Sequence, residues 1–346
     1  MPVTQSELQY AGKSALDWYL KNKPIDQIGT DRPLIKLLMA GKKSFPGAKQ
    51  YVVEQLRKSY DSNFQWFYGD GQVSYNKKRT LEQAQYPWRG CHDGFSLNED
   101  ELFANGITIT EGKGGQATGA EKMQLTNLLQ ENIESLRLGF EEKLDYELHL
   151  DGSQSGDSIA GLDHLLSTTP TSGTVGGIDR ATYPYWRNNV ETGVSTATQG
   201  DLVDKMEVEW RRCTRNGGKP DKIIVGEAFL DAFRKDAKGD LSRYIVPGGN
   251  ASLDPAVAEL HFHGVPMIWD PVFEDLDVNL NPAIDWEKRC YFINSKHIKL
   301  RPAKGHDMVT RTPPRVYDRY TYYWGLTWKG AVTMNRSNAH AVLSIA

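Results

Sequence analysis

The segment 151–188 constrains the fold of this 346-residue chain more than any other. It is rich in Gly, Thr, Ser and Asp, which favour turns. A disordered linker of that composition would contain few large apolar side chains. This segment instead carries Ile159, Leu162, Leu165, Leu166, Val175, Ile178, Tyr183, Tyr185 and Trp186. We therefore expect it to pack, either on its own domain or on a neighbouring one.

Length and composition favour two domains with sizeable cores, because the chain is long and contains 39% hydrophobic residues, nine Trp and sixteen Tyr. The formal charge of -3 argues against a protein that coats nucleic acid through a general basic excess, although local basic patches remain compatible with it. The three cysteines, Cys91, Cys213 and Cys290, have no paired spacing, which predicts small buried thiols in a reducing compartment.

The first 61 residues predict a partly helical arm. Short apolar patterns at 14–23 and 31–40 are separated by Pro24, Gly29 and Pro33, and helices this short need a surface to dock on. The N-terminus lacks a basic region followed by an apolar run, so no signal peptide is expected. No apolar stretch reaches the roughly 18 residues that a membrane span requires.

Residues 62–98 predict an extended loop. The aromatic run Phe64–Tyr68 and the run Gln72–Tyr75 flank the turn Gly69–Gly71, which predicts two strands, and Tyr86–Leu97 predicts a further extended run. A two-stranded ribbon is marginally stable in water, so this one should lie on another surface.

Residues 120–150 predict one long amphipathic helix. Its apolar line has three- and four-residue spacing and consists of Leu125, Leu129, Ile133, Leu136, Phe140, Leu144 and Leu148. At a rise of 1.5 Å per residue the rod would be roughly 40 Å long, more than one compact domain usually needs.

The remainder predicts an α/β layer followed by further strands. Helices are expected at 201–213 and 227–235, with strands at 222–225, 262–269 and 290–293. Strict alternation over 315–328 predicts a strand with two unlike faces, and a turn at 335–338 leads to a last strand at 341–345.

Several spaced motifs resemble the major capsid proteins of tailed bacteriophages with the Hong Kong 97 fold. The first group is Asp151-Gly152, Ile159–Leu162, Gly176–Arg180, Pro184 and Trp186–Asn188. The second group, in the same order as in that family, is Pro220–Ile224, Gly264–Pro266 with Asp270-Pro271, and Tyr291–Lys296. The resemblance implies an α+β fold of the Hong Kong 97 type, and it covers nearly everything after residue 60.

The resemblance also implies a domain plan and a function. The plan is an N-terminal arm (1–61), an extended β-hairpin loop (62–98), a peripheral domain with a spine helix and an antiparallel sheet (99–189 and 301–346), and an axial α/β domain (190–300). The implied function is a structural shell subunit of the virion, forming pentamers and hexamers of an icosahedral head around double-stranded DNA. The last strand would lie in the family's closing hairpin.

The implied partners are further copies of the chain, a scaffolding protein, a portal and a decoration protein, with non-specific DNA contact and no membrane. An encapsulin-type nanocompartment shell is the alternative within the same fold. A hydrolase with an unrecognised site is the alternative of a different class.

No motif predicts an active site, a cofactor or a metal. Gly152–Gly156 has glutamine where a nucleophile elbow needs serine, and Gly112–Gly115 lacks the spacing of a phosphate loop. The acidic alternation from Asp275 to Asn281 lacks the Gly and Glu of a calcium loop. His261 and His263 would share a strand face, but no further His or Cys lies near them in sequence to complete a zinc site.

Aromatic and basic residues coincide in two places, at 66–89 and 183–187. Such clusters suit either an intersubunit surface or a stacking surface for single-stranded nucleic acid, and the absence of net positive charge favours the first. The predicted assembly-interface residues are Trp66, Tyr68, Lys77, Lys78, Arg79, Trp88, Arg89, Arg180, Trp186 and Arg187. For the last three, contacts within the subunit are an open alternative.

Overall fold

The computed structural model confirms a mixed α+β protein with 30% helix and 31% strand. It describes residues 30–47, 50–104, 119–198, 200–215, 217–237, 260–279, 284–313 and 320–346. Within this part of the chain, no helix is both long enough and apolar enough to cross a bilayer.

A six-stranded mixed sheet organises residues 189–345. Its strands, in spatial order, are β6 (Asn189–Val194), β14 (Ala341–Ile345), β10 (Arg289–Ile293), β7 (Lys222–Val225), β9 (Val265–Trp269) and β8 (His261–Phe262). The pairs β6–β14 and β7–β9 are parallel, and the other neighbours are antiparallel. The central strands β7 and β10 are apolar along almost their whole length because both of their faces are covered.

Two helices pack their apolar stripes on this sheet. They are α5 (Asp201–Arg215) and α6 (Glu227–Ala237), two residues longer at their ends than the sequence predicts. Their buried side chains Met206, Trp210 and Phe233 join Phe292 of the sheet in one core. The predicted α/β layer is therefore confirmed.

The strand predicted at 262–269 is wrong in one respect, since it is a hairpin. β8 ends at Phe262 and β9 begins at Val265, with His263 and Gly264 in the turn at φ 50° and 78°. Two successive positive φ angles are what a two-residue hairpin turn requires. His261 and His263 therefore do not lie on one strand face.

The predicted helix at 31–40 is confirmed as α1 (Pro33–Ala40). It buries Leu34 and Leu38 in a contact region that also includes Leu148 and Ile298. This is the docking that so short a helix needs. The helix predicted at 14–23 lies outside the described residues.

The long helix predicted at 120–150 is confirmed as α3 (Gly119–His149). Near its end, Phe140, Leu144 and Leu148 of the predicted apolar line are buried. In the sequence α2 (Glu99–Ala104) precedes this helix. Three short elements follow it: α4 (Leu162–Leu165), β4 (Thr174–Val175) and β5 (Ile178–Asp179).

A second sheet is built around β13 (Thr321–Met334), which pairs with β11 (Ile298–Pro302), β12 (Val309–Arg311) and β3 (Arg89–Asn98). The strand predicted at 315–328 is thus confirmed from residue 321, and residues 315–319 lie outside the described residues. The predicted closing hairpin is wrong, because β14 and β13 belong to different sheets: β14 lies in the six-stranded sheet, between β6 and β10.

The chain divides into two compact units. One comprises the described residues within 90–144 and 305–329, and in it Leu97 and Leu102 pack with Phe95 and Trp324. The other comprises the described residues within 31–89, 145–304 and 330–346, and it contains the six-stranded sheet.

Candidate assembly surface

The candidate assembly surface is a hairpin excursion with a packed base and a long loop. Its base pairs β1 (Tyr51–Arg57) with β2 (Leu81–Pro87) in antiparallel register, from Tyr51 opposite Pro87 to Arg57 opposite Leu81. One face of the base is packed on the chain through Val52, Leu56, Ala84 and Tyr86. On the opposite face Gln55, Gln83 and Gln85 are exposed, as expected for a ribbon with one buried face.

The hairpin base is attached to β13 through Tyr86 and to the 151–188 segment through Gly176. The Tyr86 hydroxyl donates a hydrogen bond to the Met334 carbonyl at 2.7 Å, and burial raises the pKa of Tyr86. The Gln85 N–H donates to the Gly176 carbonyl at 2.8 Å. Gly176 has φ +60°, and a Cβ there would lie 2.9 Å from the Ala84 Cβ. Only glycine fits this close approach without strain.

An ion pair on the packed face strengthens the same attachment. The Glu54 carboxylate accepts hydrogen bonds from the Arg301 guanidinium and, at 3.1 Å, from the Thr333 hydroxyl. The side chains of Glu54 and Arg301 are each only 15% exposed, so solvent screens this pair less than a surface pair.

The loop of residues 58–80 carries no strand, so the strands predicted at 64–68 and 72–75 are wrong. Its two arms nevertheless lie side by side. The Lys58 N–H donates to the Thr80 carbonyl at 2.9 Å, and the Arg79 N–H donates to Asp61 Oδ2 at 3.0 Å. Farther out, the Asn63 amide donates to the Ser74 carbonyl. Side-chain acceptors and donors thus replace the backbone ladder that the aromatic pattern predicted.

The loop displays a row of aromatic side chains to solvent. Trp66 is 90% exposed, Tyr68 98% and Tyr75 91%. Tyr60, Phe64 and Phe67 are also exposed, and Phe64 meets Trp66 edge to face with ring centroids 5.2 Å apart. Large apolar side chains exposed together in this way make the loop a candidate interaction surface.

The basic residues predicted at this surface are placed as follows. Lys77, Lys78 and Arg79 are exposed on the returning arm of the loop. Trp88 is 37% exposed just after β2. Arg89 Nη1 lies 3.6 Å from the Asp157 carboxylate, an exposed pair that contributes little to stability.

Three other predicted interface residues form hydrogen bonds within the chain. Arg180 is buried and donates to the Leu165 carbonyl, and burial lowers the pKa of its guanidinium to about 10. Trp186 is buried and its indole N–H donates to the Val175 carbonyl at 2.9 Å. Arg187 Nε donates to the Arg180 carbonyl at 2.7 Å. Arg180 and Trp186 have no exposed surface to offer a second copy, so the within-subunit alternative holds for them.

The 151–188 segment therefore packs on its own chain, which is one of the two expectations stated for it. Its apolar side chains are buried at Ile159, Leu162, Leu165, Leu166, Val175, Ile178 and Trp186. Through Gly176 it also forms the seat of the hairpin base.

The other chemical candidates from the sequence lie as follows. Within the described residues, no group of three or more His, Cys, Asp or Glu side chains is arranged to hold a metal ion. His263 Nε2 lies 2.8 Å from Glu207 and its ring stacks on Trp210. Asp277, from the rejected calcium pattern, lies on helix α7 (Val272–Asn279) and accepts the Trp286 N–H at 2.8 Å. The Gly112–Gly115 motif lies outside the described residues.

The thiols differ from the prediction at one position. Cys213 and Cys290 are buried as expected, whereas Cys91 is exposed on β3. None of the three is in a disulfide.

A buried cluster joins the end of α3 to the six-stranded sheet. His149 Nδ1 donates to the Asp145 carbonyl at 2.8 Å, and His149 Nε2 lies 3.1 Å from Asp270 Oδ2. Both ring nitrogens therefore face acceptors, which favours the imidazolium. Burial by itself would lower the pKa of His149, but the hydrogen bond and charge of Asp270 and the charge of Asp145 raise it.

The residues that anchor the hairpin were not identifiable from sequence. Glu54, Tyr86 and Gly176 act through partners more than 80 residues away, and no local pattern pairs them. The available signal was the spacing of two between Val52, Glu54 and Leu56, which places them on one face of a strand. The more pronounced aromatic run 64–68 obscured this signal.

Among the comparisons with known proteins, only the one with solved structures finds similar proteins. Neither a scan against models of protein families nor a search of curated proteins finds a match. Among solved structures, the Cyanophage A-1(L) capsid asymmetric unit is similar with a TM-score of 0.60 and 14% identity, over 94% of this chain and 96% of that one. The capsid of Myoviridae Phage XM1 gives 0.56 and 12%, over 95% and 97%.

A shell protein of another kind is also similar. The SrpI encapsulin of Synechococcus elongatus PCC 7942 has a TM-score of 0.50 and 12% identity, over 95% of this chain and 94% of that one. At these identities the likeness establishes the fold. This chain has the α+β fold of these phage capsid structures over nearly its whole length, in agreement with the capsid resemblance of the sequence motifs.

Proposed function

We propose that this chain is the major capsid protein of a tailed bacteriophage. It self-assembles into pentamers and hexamers of an icosahedral head that encloses double-stranded DNA, and its place is the shell of the virion. The observation that carries the proposal is the likeness to phage capsid subunits over nearly the full length of both chains, with TM-scores up to 0.60.

The proposed domain plan keeps the arm, extended loop, peripheral domain and axial domain, with one change of boundary. The extended loop begins at Tyr51 rather than at residue 62, because β1 already pairs with β2. The 31-residue helix α3 supports the role of a spine, and the six-stranded sheet with α5 and α6 supports the axial layer.

In this proposal the hairpin loop supplies the main intersubunit contact. Twelve extended residues beyond β1 reach at most about 40 Å. Each aromatic side chain that a neighbour covers removes ~150–250 Å² from water, a gross gain of ~4–6 kcal/mol that ordering of the loop partly offsets. Several such contacts per subunit, repeated around a closed shell, make assembly cooperative.

The partners follow from the same proposal. They are other copies of the chain, a scaffolding protein, a portal and a decoration protein, with non-specific contact to the packaged DNA. An encapsulin-type shell is the second candidate, favoured by the similarity to the SrpI encapsulin, but that likeness has the lower TM-score. Packaged DNA as opposed to enclosed cargo protein separates the two.

Electron microscopy of the purified protein tests the proposal, and a shortened loop sharpens the test. Replacing residues 59–79 by Asn-Gly keeps the Lys58–Thr80 hydrogen bond and closes β1 and β2 with a two-residue turn. We expect closed shells from the unaltered chain and soluble, folded subunits without shells from the shortened chain.

Two substitutions in the intact loop separate its aromatic from its charged side chains. The double variant Trp66→Ser, Tyr68→Ser should assemble poorly, since anchors of this kind cost ~2 kcal/mol or more each when truncated. The comparison variant Lys77→Gln, Lys78→Gln should weaken assembly less, because exposed charges contribute under ~1 kcal/mol each. Normal shells from the shortened chain would refute the role of the loop, and failure of the unaltered chain to form any shell would refute the function.

A further inference from the structure

Four chain segments at one end of the six-stranded sheet are dense in cations. They are residues 41–47, 215 with 217–222, 294–304 and 335–340, and the last three include the turns at the start of β7, the end of β10 and the start of β14. They contain Lys42, Lys43, Arg215, Lys219, Lys222, Lys296, Lys299, Arg301, Lys304 and Arg336, with Asp221 as the one carboxylate. The whole chain, by contrast, has 41 basic and 44 acidic residues. We call these four segments the basic end.

Hydrogen bonds hold three of these turns against one another. The Asn294 amide donates to the Lys219 carbonyl at 2.9 Å, and the Ser295 N–H donates to Asp221 Oδ1 at 2.8 Å. Arg336 Nη1 lies 3.3 Å from the Gly217 carbonyl. The turns are therefore one fixed surface.

The fourth segment runs beside β11 and is fixed in the same way. The Lys43 N–H donates to the Leu300 carbonyl at 3.0 Å, and the Phe45 N–H donates to the Pro302 carbonyl at 3.0 Å. This places Lys43 beside the strand that carries Lys299.

Several cations of the basic end have no carboxylate beside them among the described residues. Asp221 is engaged by both the N–H and the hydroxyl of Ser295, and Arg301 is paired with Glu54 outside the four segments. Lys43, Lys219 and Lys296 are exposed and form no ion pair within the described part of the chain.

His297 lies among these cations. Burial is the main cause that lowers the pKa of His297; the hydrogen bond with Asn335 raises it, and the charges of Arg336, Lys299 and Lys296 lower it further. Its ring nitrogen Nδ1 is held 2.7 Å from Asn335 Oδ1, so the histidine is fixed between the cations.

We propose that the basic end binds the phosphate backbone of double-stranded nucleic acid without reading its sequence. A nucleic-acid surface is polar and positively charged, whereas a surface for an acidic protein also needs exposed apolar anchors. None of the exposed large hydrophobic side chains among the described residues lies in the four segments. Because the turns are already held together, binding through them needs little further ordering of the backbone. That the nucleic acid is packaged DNA rests on the function proposed above; the binding itself does not.

Salt-dependent binding of a labelled duplex of about 30 base pairs to the unassembled full-length chain tests this. Between about 50 and 300 mM NaCl the log of the association constant should fall linearly with log salt, by ~0.9 per phosphate contact. The triple variant Lys296→Glu, Lys299→Glu, Arg336→Glu should reduce that slope by ~3 and weaken binding at ~100 mM at least tenfold.

A matched control changes the net charge equally at another exposed place. Lys77→Glu, Lys78→Glu, Arg79→Glu in the loop should leave affinity and slope within about twofold of the unaltered chain. The milder variant Lys296→Gln, Lys299→Gln keeps the Arg336–Gly217 contact and should lower the slope by ~2 while the thermal unfolding midpoint stays unchanged.

Three results would overturn the assignment. They are an unchanged slope in both basic-end variants, an equal loss in the loop control, and stronger binding of a poly-glutamate peptide of equal charge than of the duplex. The outcome is independent of assembly. If the unaltered chain forms no shells but the variants lose affinity for the duplex, nucleic-acid binding by the basic end is supported and the proposed function is refuted. If shells form and their subunits bind DNA equally well without these residues, the proposed function is supported and binding by the basic end is refuted.

Discussion

Replacing Asp145 by asparagine should stabilise the folded chain at pH 8 and slightly destabilise it at pH 4. The side chain is buried near the end of α3, where Oδ1 accepts the N–H of Ile35, the third residue of α1, at 3.0 Å. Within the described residues Oδ2 has no hydrogen-bond partner. Burial is the main reason that the pKa of Asp145 is raised from 3.8 to about 6; His149 opposes the rise and Asp270 adds to it.

The magnitude follows from that pKa. The folded chain holds the Asp145 proton more tightly than the unfolded chain does, so this contribution to stability is complete below about pH 4 and is lost as pH rises through about 6. At ~1.4 kcal/mol per pH unit, the ionised carboxylate costs ~3 kcal/mol at pH 8. Asparagine stays neutral and keeps an oxygen for Ile35, but its unpartnered amide nitrogen costs ~1 kcal/mol or more.

The net expectation is a gain of ~1–2 kcal/mol at pH 8 and a loss of ~1 kcal/mol at pH 4. Removing the Asp145 charge also lowers the proton affinity of His149. Because the pKa of His149 is raised in the folded chain, the unaltered chain and the asparagine variant both lose stability as the pH rises above 6.5. This coupling limits the gain without reversing its sign.

Urea unfolding of the unassembled subunit at the two pH values measures the difference. Asp157→Asn, which alters a carboxylate 94% exposed, is the matched control and should change stability by less than ~0.5 kcal/mol. Amide exchange over residues 33–40 reports separately whether α1 stays docked. An asparagine variant less stable than the unaltered chain at pH 8, or a difference independent of pH, would refute the reasoning.

Two further predictions concern the hairpin seat and the thiols. Gly176→Ala should loosen the hairpin base and cost over ~2 kcal/mol in thermal unfolding, because its Cβ would meet Ala84; Gly177→Ala, also at positive φ but in open space, should cost only ~1 kcal/mol. An equal cost at both positions would contradict the close-packing argument. In the native unassembled subunit a thiol reagent should modify one cysteine, Cys91, because burial raises the pKa of Cys213 to about 12 and that of Cys290 as well. Reaction of all three without denaturant would show that the buried pair is accessible.

Much of the fold could be predicted because its signals are local. Helix α3 follows from an apolar line of three- and four-residue spacing, and the strands 222–225 and 341–345 appear at the predicted bounds. The hairpin strands could not be placed, because the aromatic run 64–68 has strand composition but no surface to pack on in the subunit. Residues 51–57 do pack on the subunit, through Val52 and Leu56, and they form strand β1.

Which aromatic side chains are exposed could be predicted only in part for the same reason. Trp66 and Tyr68 are exposed, whereas Trp186 has the same kind of side chain but is buried. Composition alone does not separate a docking aromatic from a core aromatic, since both are large and apolar with one polar group.

The sequence by itself determined the helices, the alternation of the α/β layer and the need for the 151–188 segment to pack, because periodicity and turn chemistry act over a few residues. Only the tertiary structure decided what that segment packs against, which face of the hairpin is buried, and where charges of one sign collect. Those outcomes depend on contacts between residues far apart in the chain, such as Tyr86 with Met334 and Arg336 with Gly217. No local pattern encodes such pairs, because each partner is chosen by the geometry of the whole fold.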